Sequence, residues 1–213
     1  MIDIGGNQKV SVVVDILRFS STVTTLLTFV DEIYIALSER EKGIYIGEKF
    51  GVKREGYDYG NSPIEILKNK EEILERYERG EKIFIKTTNG TRVLESLKAE
   101  EIYIGSILNA EAVSKVSNSF SLIPCHTLKG FAIEDFIGCG VIAKFREDLD
   151  ESALSAKLLA ERDYREVIIN SRSAQNLKDL GYENDIYFCL LENLYDIVGK
   201  YEKEKKRIVR CMI

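Results

Sequence analysis

The chain is poor in the residues that carry most metal and covalent chemistry. Histidine occurs once, at His126, which excludes a histidine-rich metal centre. The four cysteines, Cys125, Cys139, Cys189 and Cys211, are scattered with no C-x-x-C, so neither a zinc site nor a disulfide framework is indicated. No run approaches the roughly 18–20 apolar residues that span a bilayer. The opening MIDIGGNQKV lacks the basic and then apolar segments of a signal peptide, so a cytoplasmic protein with no membrane association is expected. A dominant positive charge is missing too. The formal net charge is -5 and the signs are mixed, as in KNKEEILERYERGEK, which reads as a solvated helix face and not as a nucleic-acid patch. Linkers, internal repeats and low-complexity segments are not evident.

What is present suits one soluble domain over residues 1–213, 45% hydrophobic and able to bury a sizeable core. Abundant Glu, Lys, Ile and Tyr with few Gln and His has the flavour of a thermophile. VSVVVD, covering 11–15 and its lead-in, is a β-branched run like a strand buried on both faces. SSTVTTLLTFV reads as a helix capped by Ser20, Ser21 or Thr22. EIYIA (32–36), GIYIGE (43–48), KIFIKT (82–87), EIYIGS (101–106) and SFSLIPC (119–125) read as strands. Residues 49–63 read as a long loop, and Pro63 opens an amphipathic helix to about Arg79. TRVLESLKAE and LNAEAVSKV are helical. From Ala132 the chain turns mainly helical, with RIVRCMI returning as an edge strand. Alternating strands and helices predict an α/β layered fold with a more helical C-terminal part, and ligands at the carboxyl ends of strands.

KTTNGTR (86–92) poses the central question. Asn-Gly is a strong hairpin signal, but Val93, Leu94 and Leu97 follow at helical spacing. The segment therefore turns a strand into a helix. DILRFSST makes a second such turn, with Asp15, Arg18, Ser20, Ser21 and Thr22. A third strand ends at Glu48 and leads to Asp58 and Asn61. Helix N-termini, hydroxyls and forked guanidinium groups bind anions. Carboxylates beside them would repel an anion unless a cation intervened. Mg²⁺ is the natural bridge, because it accepts one or two carboxylates plus phosphate oxygens. The combination points to metal-assisted phosphoryl chemistry.

Plainer readings stand beside these. Asp15 and Ser20–Thr22 suit helix caps, and Asp58 and Asn61 suit turn stabilisers. Arg18 and Arg92 suit surface ion pairs. Glu134 and Asp135 suit the exposed side of a helix whose core residues are Phe131, Ile133, Phe136 and Ile137. Cys139 suits a small packing residue between glycines, and His126 suits a loop. Other phosphate chemistries fail on spacing. Leu17 stands where a D-x-D phosphatase needs its second Asp. Phe131 and Phe145 stand where C-x5-R needs arginine. There is no Walker loop, and GCGVIA lies inside a helical run instead of after a strand.

VVVDILRFSST, GEKFGVKREGYDYGNSP, KTTNGTR and FAIEDFIGCG, in this order, resemble the 2-phosphosulfolactate phosphatase family over about residues 9–190, and SAQNLKDLGYENDIYFCL continues the likeness more weakly. The resemblance implies a three-layer α/β/α fold with a mixed, largely parallel sheet. It implies a homodimeric, Mg²⁺-dependent acid phosphatase that cleaves (2R)-2-phospho-3-sulfolactate on a route to coenzyme M. By motif, Asp15, Glu48, Asp58 and Glu134 or Asp135 become candidates for metal binding or water activation. Arg18, Ser21, Thr22, Asn61, Thr88, Asn89, Gly90, Thr91 and Arg92 become candidates for holding anionic groups. Cys139 aligns with the family's cysteine-containing helix and is read as structural. The chain departs from the family at PCHTLKG, where His126 and Thr127 replace smaller residues. That leaves open a different small phospho-acid as substrate. A non-catalytic sensor of an anionic metabolite, or a phosphotransferase or nucleotide-binding enzyme, is the alternative in kind.

Overall fold

A computed structural model describes residues 1–36, 41–48, 56–125 and 130–211. The strands are β1 (Ile2–Ile4), β2 (Val10–Val14), β3 (Glu32–Ile35), β4 (Gly43–Gly47), β5 (Tyr59–Gly60), β6 (Lys82–Lys86), β7 (Glu101–Gly105), β8 (Phe120–Pro124), β9 (Val198–Glu202) and β10 (Arg207–Cys211). The helices are α1 (Phe19–Leu26), α2 (Pro63–Lys68), α3 (Lys70–Glu78), α4 (Gly90–Ser96), α5 (Ala110–Ser114), α6 (Ile133–Ala143), α7 (Glu151–Ala160), α8 (Tyr164–Ile169), α9 (Arg172–Asp179) and α10 (Glu183–Cys189), with a 3-10 turn at Ile107–Asn109. Among the described residues no helix is long and apolar enough to cross a membrane.

Among the described residues the ten strands form one mixed, mostly parallel sheet in the order β1-β8-β2-β7-β9-β10-β3-β6-β4-β5, an α/β fold. β1, β8, β2 and β7 form one parallel block, and β3, β6, β4 and β5 another. Between them the β9–β10 hairpin pairs antiparallel to β7 on one side and to β3 on the other. The two blocks therefore run in opposite directions. β10 is an interior strand, not the edge strand its sequence suggests. The hairpin's charges are absorbed by cross-strand pairs: Arg207 of β10 bonds Glu202 at 2.7 Å and also pairs with Glu32, and Lys200 of β9 reaches Glu101 at 2.8 Å.

The β-branched run of β2 has a plain cause. Val12 and Val14 enter a core with Phe120, Leu122, Ile137 and Val141, while Val13 enters a second core with Phe19, Leu94, Ile85 and Ile104. Both faces of this strand are buried, so no polar alternation is possible.

Three other expectations are corrected. The helix expected from Pro63 to Arg79 breaks at Asn69, whose Nδ2 donates to the Glu65 carbonyl at 2.7 Å and so competes with the helix. Within the long loop, Tyr59–Gly60 pairs with Ile46–Gly47 as β5, while 49–55 lie outside the described residues. Ser20, Ser21 and Thr22 lie inside α1 and do not cap it; the cap position is Arg18, whose side chain makes no capping hydrogen bond.

Because the blocks are opposed, a flat sheet would hold the ends of β2 and β6 apart. Here α4, which follows β6, packs over β2, and Gly90 lies against Phe19. Sheet twist of roughly −20 to −25° per strand pair accumulates to about 100–125° over the five steps from β2 to β6. Twist of that order turns the two carboxyl ends toward one another, in keeping with the packing of α4 over β2 on the face that carries Val13 and Ile85.

Candidate active site

Asp15 follows the last residue of β2. Its Oδ1 accepts the Phe19 N–H at 3.2 Å, which makes it the side-chain acceptor at the start of α1. Its own N–H donates to Ser20 Oγ at 3.0 Å, and Ser20 Oγ donates to the Val13 carbonyl at 3.3 Å. Ser21 Oγ donates to the Ile16 carbonyl at 2.9 Å. The serine hydroxyls are thus spent on shaping the turn, Ser21 included, although it was expected to hold an anion. Thr22 is fully buried and its Oγ1 has no hydrogen-bond partner among the described residues.

Glu134 and Asp135, in the first turn of α6, are only 4% and 3% exposed, so they are not a solvated helix face. Phe131, expected in the core, is 62% exposed. The reason lies in the glycines. Gly138 packs on Ile16 and Val14, and Gly140 packs on the Ala156 carbonyl, which seats the start of α6 beneath the end of β2. Asp135 Oδ1 then accepts the Ile16 N–H at 2.9 Å.

These carboxylates strain one another electrostatically. Burial foremost, with Glu48 and Glu134, pushes the Asp15 carboxyl up to about 7 against the opposing pull of the Phe19 hydrogen bond and Arg18. Asp135 is also held well above the carboxylate range, by burial first and then by Asp15 and Glu134, against the Ile16 hydrogen bond. The buried pair keeps a proton near neutral pH.

The end of β4 and the TTNGT turn complete the site. Thr88 donates its N–H to Glu48 Oε1 at 3.0 Å and its hydroxyl to Glu48 Oε2. The Val93 N–H bonds the Asn89 carbonyl at 3.0 Å, so this Asn-Gly opens a helix and not a hairpin. Gly90 is needed there: a Cβ would fall 2.3 Å from the Phe19 ring. Thr91 turns inward, its N–H on Thr87 Oγ1 at 3.3 Å and its hydroxyl on the Thr87 carbonyl at 2.6 Å. Asn89 is half-buried and Arg92 is exposed. Asn61, beyond β5, donates its N–H to the Gly47 carbonyl at 2.8 Å, and its buried Oδ1 has no hydrogen-bond partner among the described residues.

The fold therefore brings Asp15, Glu48, Glu134, Asp135 and the TTNGT turn to one place. Asp58 is separately engaged: its carboxylate accepts the Tyr45 N–H at 2.8 Å and pairs with Arg76 at 3.1 Å. Cys139 is fully buried and its thiol is pushed well up by burial, as suits packing and not nucleophilic attack. His126 and Thr127 lie outside the described residues. Arg18 is not a surface residue; it is buried and paired with Asp185 on α10. Asp185 was missed in the sequence, where an acid inside the apolar stretch DIYFCLL was the available signal. Among the described residues, no three acidic, cysteine or histidine side chains already converge as a metal-binding group.

Comparison with known proteins decides the family. The model of the 2-phosphosulpholactate phosphatase family matches residues 4–204. This chain belongs to that family. It is 56% identical over 208 residues to the 2-phosphosulfolactate phosphatase of Methanocaldococcus jannaschii, covering 95% of this chain and 93% of that protein. Its identity to the probable 2-phosphosulfolactate phosphatase of Thermotoga maritima is 36%, over 89% of this chain and 88% of the relative. For the probable enzyme of Carboxydothermus hydrogenoformans it is 32%, over 95% and 90%. Family members of this kind are phosphoric monoester hydrolases, which suits acids gathered beside donor-rich turns.

Proposed function

We propose that this chain is a phosphatase that hydrolyses a small anionic phosphate monoester, (2R)-2-phospho-3-sulfolactate foremost, and that it does so with Mg²⁺. The observation that carries this reading is the buried Asp15–Asp135 pair, crowded by Glu134 and Glu48 at the foot of the TTNGT turn. Such mutual repulsion is relieved by protons or by a cation.

The donor chemistry fits a hard divalent ion: carboxylate oxygens from Asp15, Glu48, Glu134 and Asp135, and the orphaned amide oxygen of Asn61. Bound there, Mg²⁺ would supply positive charge to the phosphoryl oxygens. The remaining work falls to the chain. Arg18 and the exposed Arg92 offer forked donors to the substrate's anionic groups. The Asn89–Gly90 end of the turn offers further donors, while Thr88 already grips a carboxylate, that of Glu48, through both its N–H and its hydroxyl. Where the ion leaves it uncoordinated, Asp15 takes or gives a proton at the ester as a general acid–base group. Burial of the carboxylates holds them in fixed orientation before substrate arrives.

The same reading makes the protein a cytoplasmic homodimer, for which sedimentation at working concentration is the check. The decisive assay measures phosphate release from phosphosulfolactate and a panel of phospho-acids, with and without Mg²⁺. Metal-dependent release is expected, fastest with phosphosulfolactate. No metal-dependent release from any ester sinks the reading.

A further inference from the structure

Arg18 and Asp185 form an ion pair with both partners out of water, 7% and 2% exposed, and 167 residues apart in sequence. Asp185 Oδ2 accepts from Arg18 Nη1, and its Oδ1 accepts from Ser62 Oγ at 2.8 Å and from the Ile64 N–H at 3.2 Å. The ring of Tyr182 lies 4.2 Å from the guanidinium carbon. One carboxylate thus ties the turn after β2, the cap of α2 and the first turn of α10.

Stability alone does not explain the arrangement. Desolvating two charges costs about as much as their attraction returns, so an apolar pair would hold these segments as well. Position does explain it. Arg18 stands three residues after Asp15, close enough for Asp15 to feel its charge. An untethered guanidinium there would fall onto Asp15, Glu134 or Glu48 and neutralise the cluster. Held through Nη1 and stacked on Tyr182, it keeps the rest of its five N–H donors for another anion.

We propose that Asp185 is a positioning residue: it restrains Arg18 so that the remaining guanidinium donors face the phosphoester's anionic group instead of the protein's own carboxylates. The proposal rests on the site being an anion site, as above, but its test does not need turnover.

The experiment is a double-mutant cycle on the affinity for inorganic phosphate, measured by calorimetry with Mg²⁺ in every sample. Asp185→Asn keeps the shape of the side chain and an acceptor for Ser62 and Ile64, and removes the charge that restrains Arg18. It should weaken phosphate binding about tenfold, Arg18→Ala should weaken it at least as much, and the double variant should match Arg18→Ala within about twofold. Added guanidinium should restore binding to Arg18→Ala but not to the double variant, because Asp185 seats it. Multiplicative effects of the two substitutions, or equal rescue in both backgrounds, overturn the proposal. If thermal melts show that Asp185→Asn does not fold, Ser62→Ala takes its place. It loosens the same carboxylate without unbalancing charge, and should weaken phosphate binding about threefold in the native background and not at all with Arg18→Ala. Wild-type protein that binds phosphate but hydrolyses no ester sinks the phosphatase reading while the cycle still decides the role of Asp185. Wild-type protein that does not bind phosphate overturns both.

Discussion

Asp15→Asn removes one negative charge from the buried cluster while keeping an oxygen to accept the Phe19 N–H. The carboxyl it replaces lies at about 7, against an ordinary value of 3.8. Each unit corresponds to roughly 1.4 kcal/mol, so ionised Asp15 costs the folded chain on the order of 4 kcal/mol, part of it shared with Asp135. The sign follows from proton binding. Between about pH 4 and 7 the folded state holds a proton that the unfolded state has released. Stability from this site is therefore full below about pH 4 and is lost as pH rises through about 7. Asparagine cannot titrate. In urea melts of metal-free protein, wild type should lose several kcal/mol more than the variant between about pH 4 and 8, leaving Asp15→Asn the more stable protein at the upper end. Turnover by the same variant, assayed as phosphate release, should fall at least ~100-fold. Parallel stability curves for the two proteins would refute the reasoning, because they would mean that Asp15 carries no displaced proton. Near-normal turnover would remove it from the chemistry.

Cys139→Ala should leave phosphate release within about threefold of wild type, since a buried thiol pushed upward is inert; abolished turnover would reinstate it as a nucleophile. Gly140→Ala drives a Cβ to 2.1 Å from the Ala156 carbonyl, and urea denaturation should show a loss of roughly 1–3 kcal/mol with activity per folded molecule retained. Gly90→Ala meets the Phe19 ring at 2.3 Å and should shift the TTNGT turn, lowering kcat/KM for the phosphoester more than it lowers Tm; unchanged kinetics would detach this turn from the site.

Much of the fold was legible because its buried parallel strands favour β-branched residues, such as Val12–Val14, Ile83 and Ile85. β1 escaped notice because IDI is only three residues long. β9 escaped notice and β10 was read as an edge strand, because Lys200, Glu202 and Arg207 spend their charge on cross-strand pairs that a single strand cannot reveal. Within the site, Asp15, Glu48 and the TTNGT turn were visible as acids and donors at strand ends. The burial of Glu134 and Asp135 was not, since it depends on where Gly138 and Gly140 let α6 dock. The divided use of the hydroxyls was also hidden. Ser21 and Thr91 bond their own turns, and only coordinates separate a hydroxyl that shapes a loop from one that faces outward. Asp185 was out of reach for a related reason: its partners, Arg18, Ser62 and Ile64, lie more than a hundred residues away in sequence.

The β9–β10 hairpin follows every other strand in sequence, yet it occupies the middle of the sheet. Until it is in place, β7 and β3 are bare edges of two half-sheets, each with unpaired N–H and C=O groups. A ribosome-bound chain lacking residues 198–211 therefore has every catalytic candidate already synthesised but lacks the strands that pair the two half-sheets. The segment that joins the two half-sheets is thus the last of the strands to be made, and it contributes none of the candidate site residues.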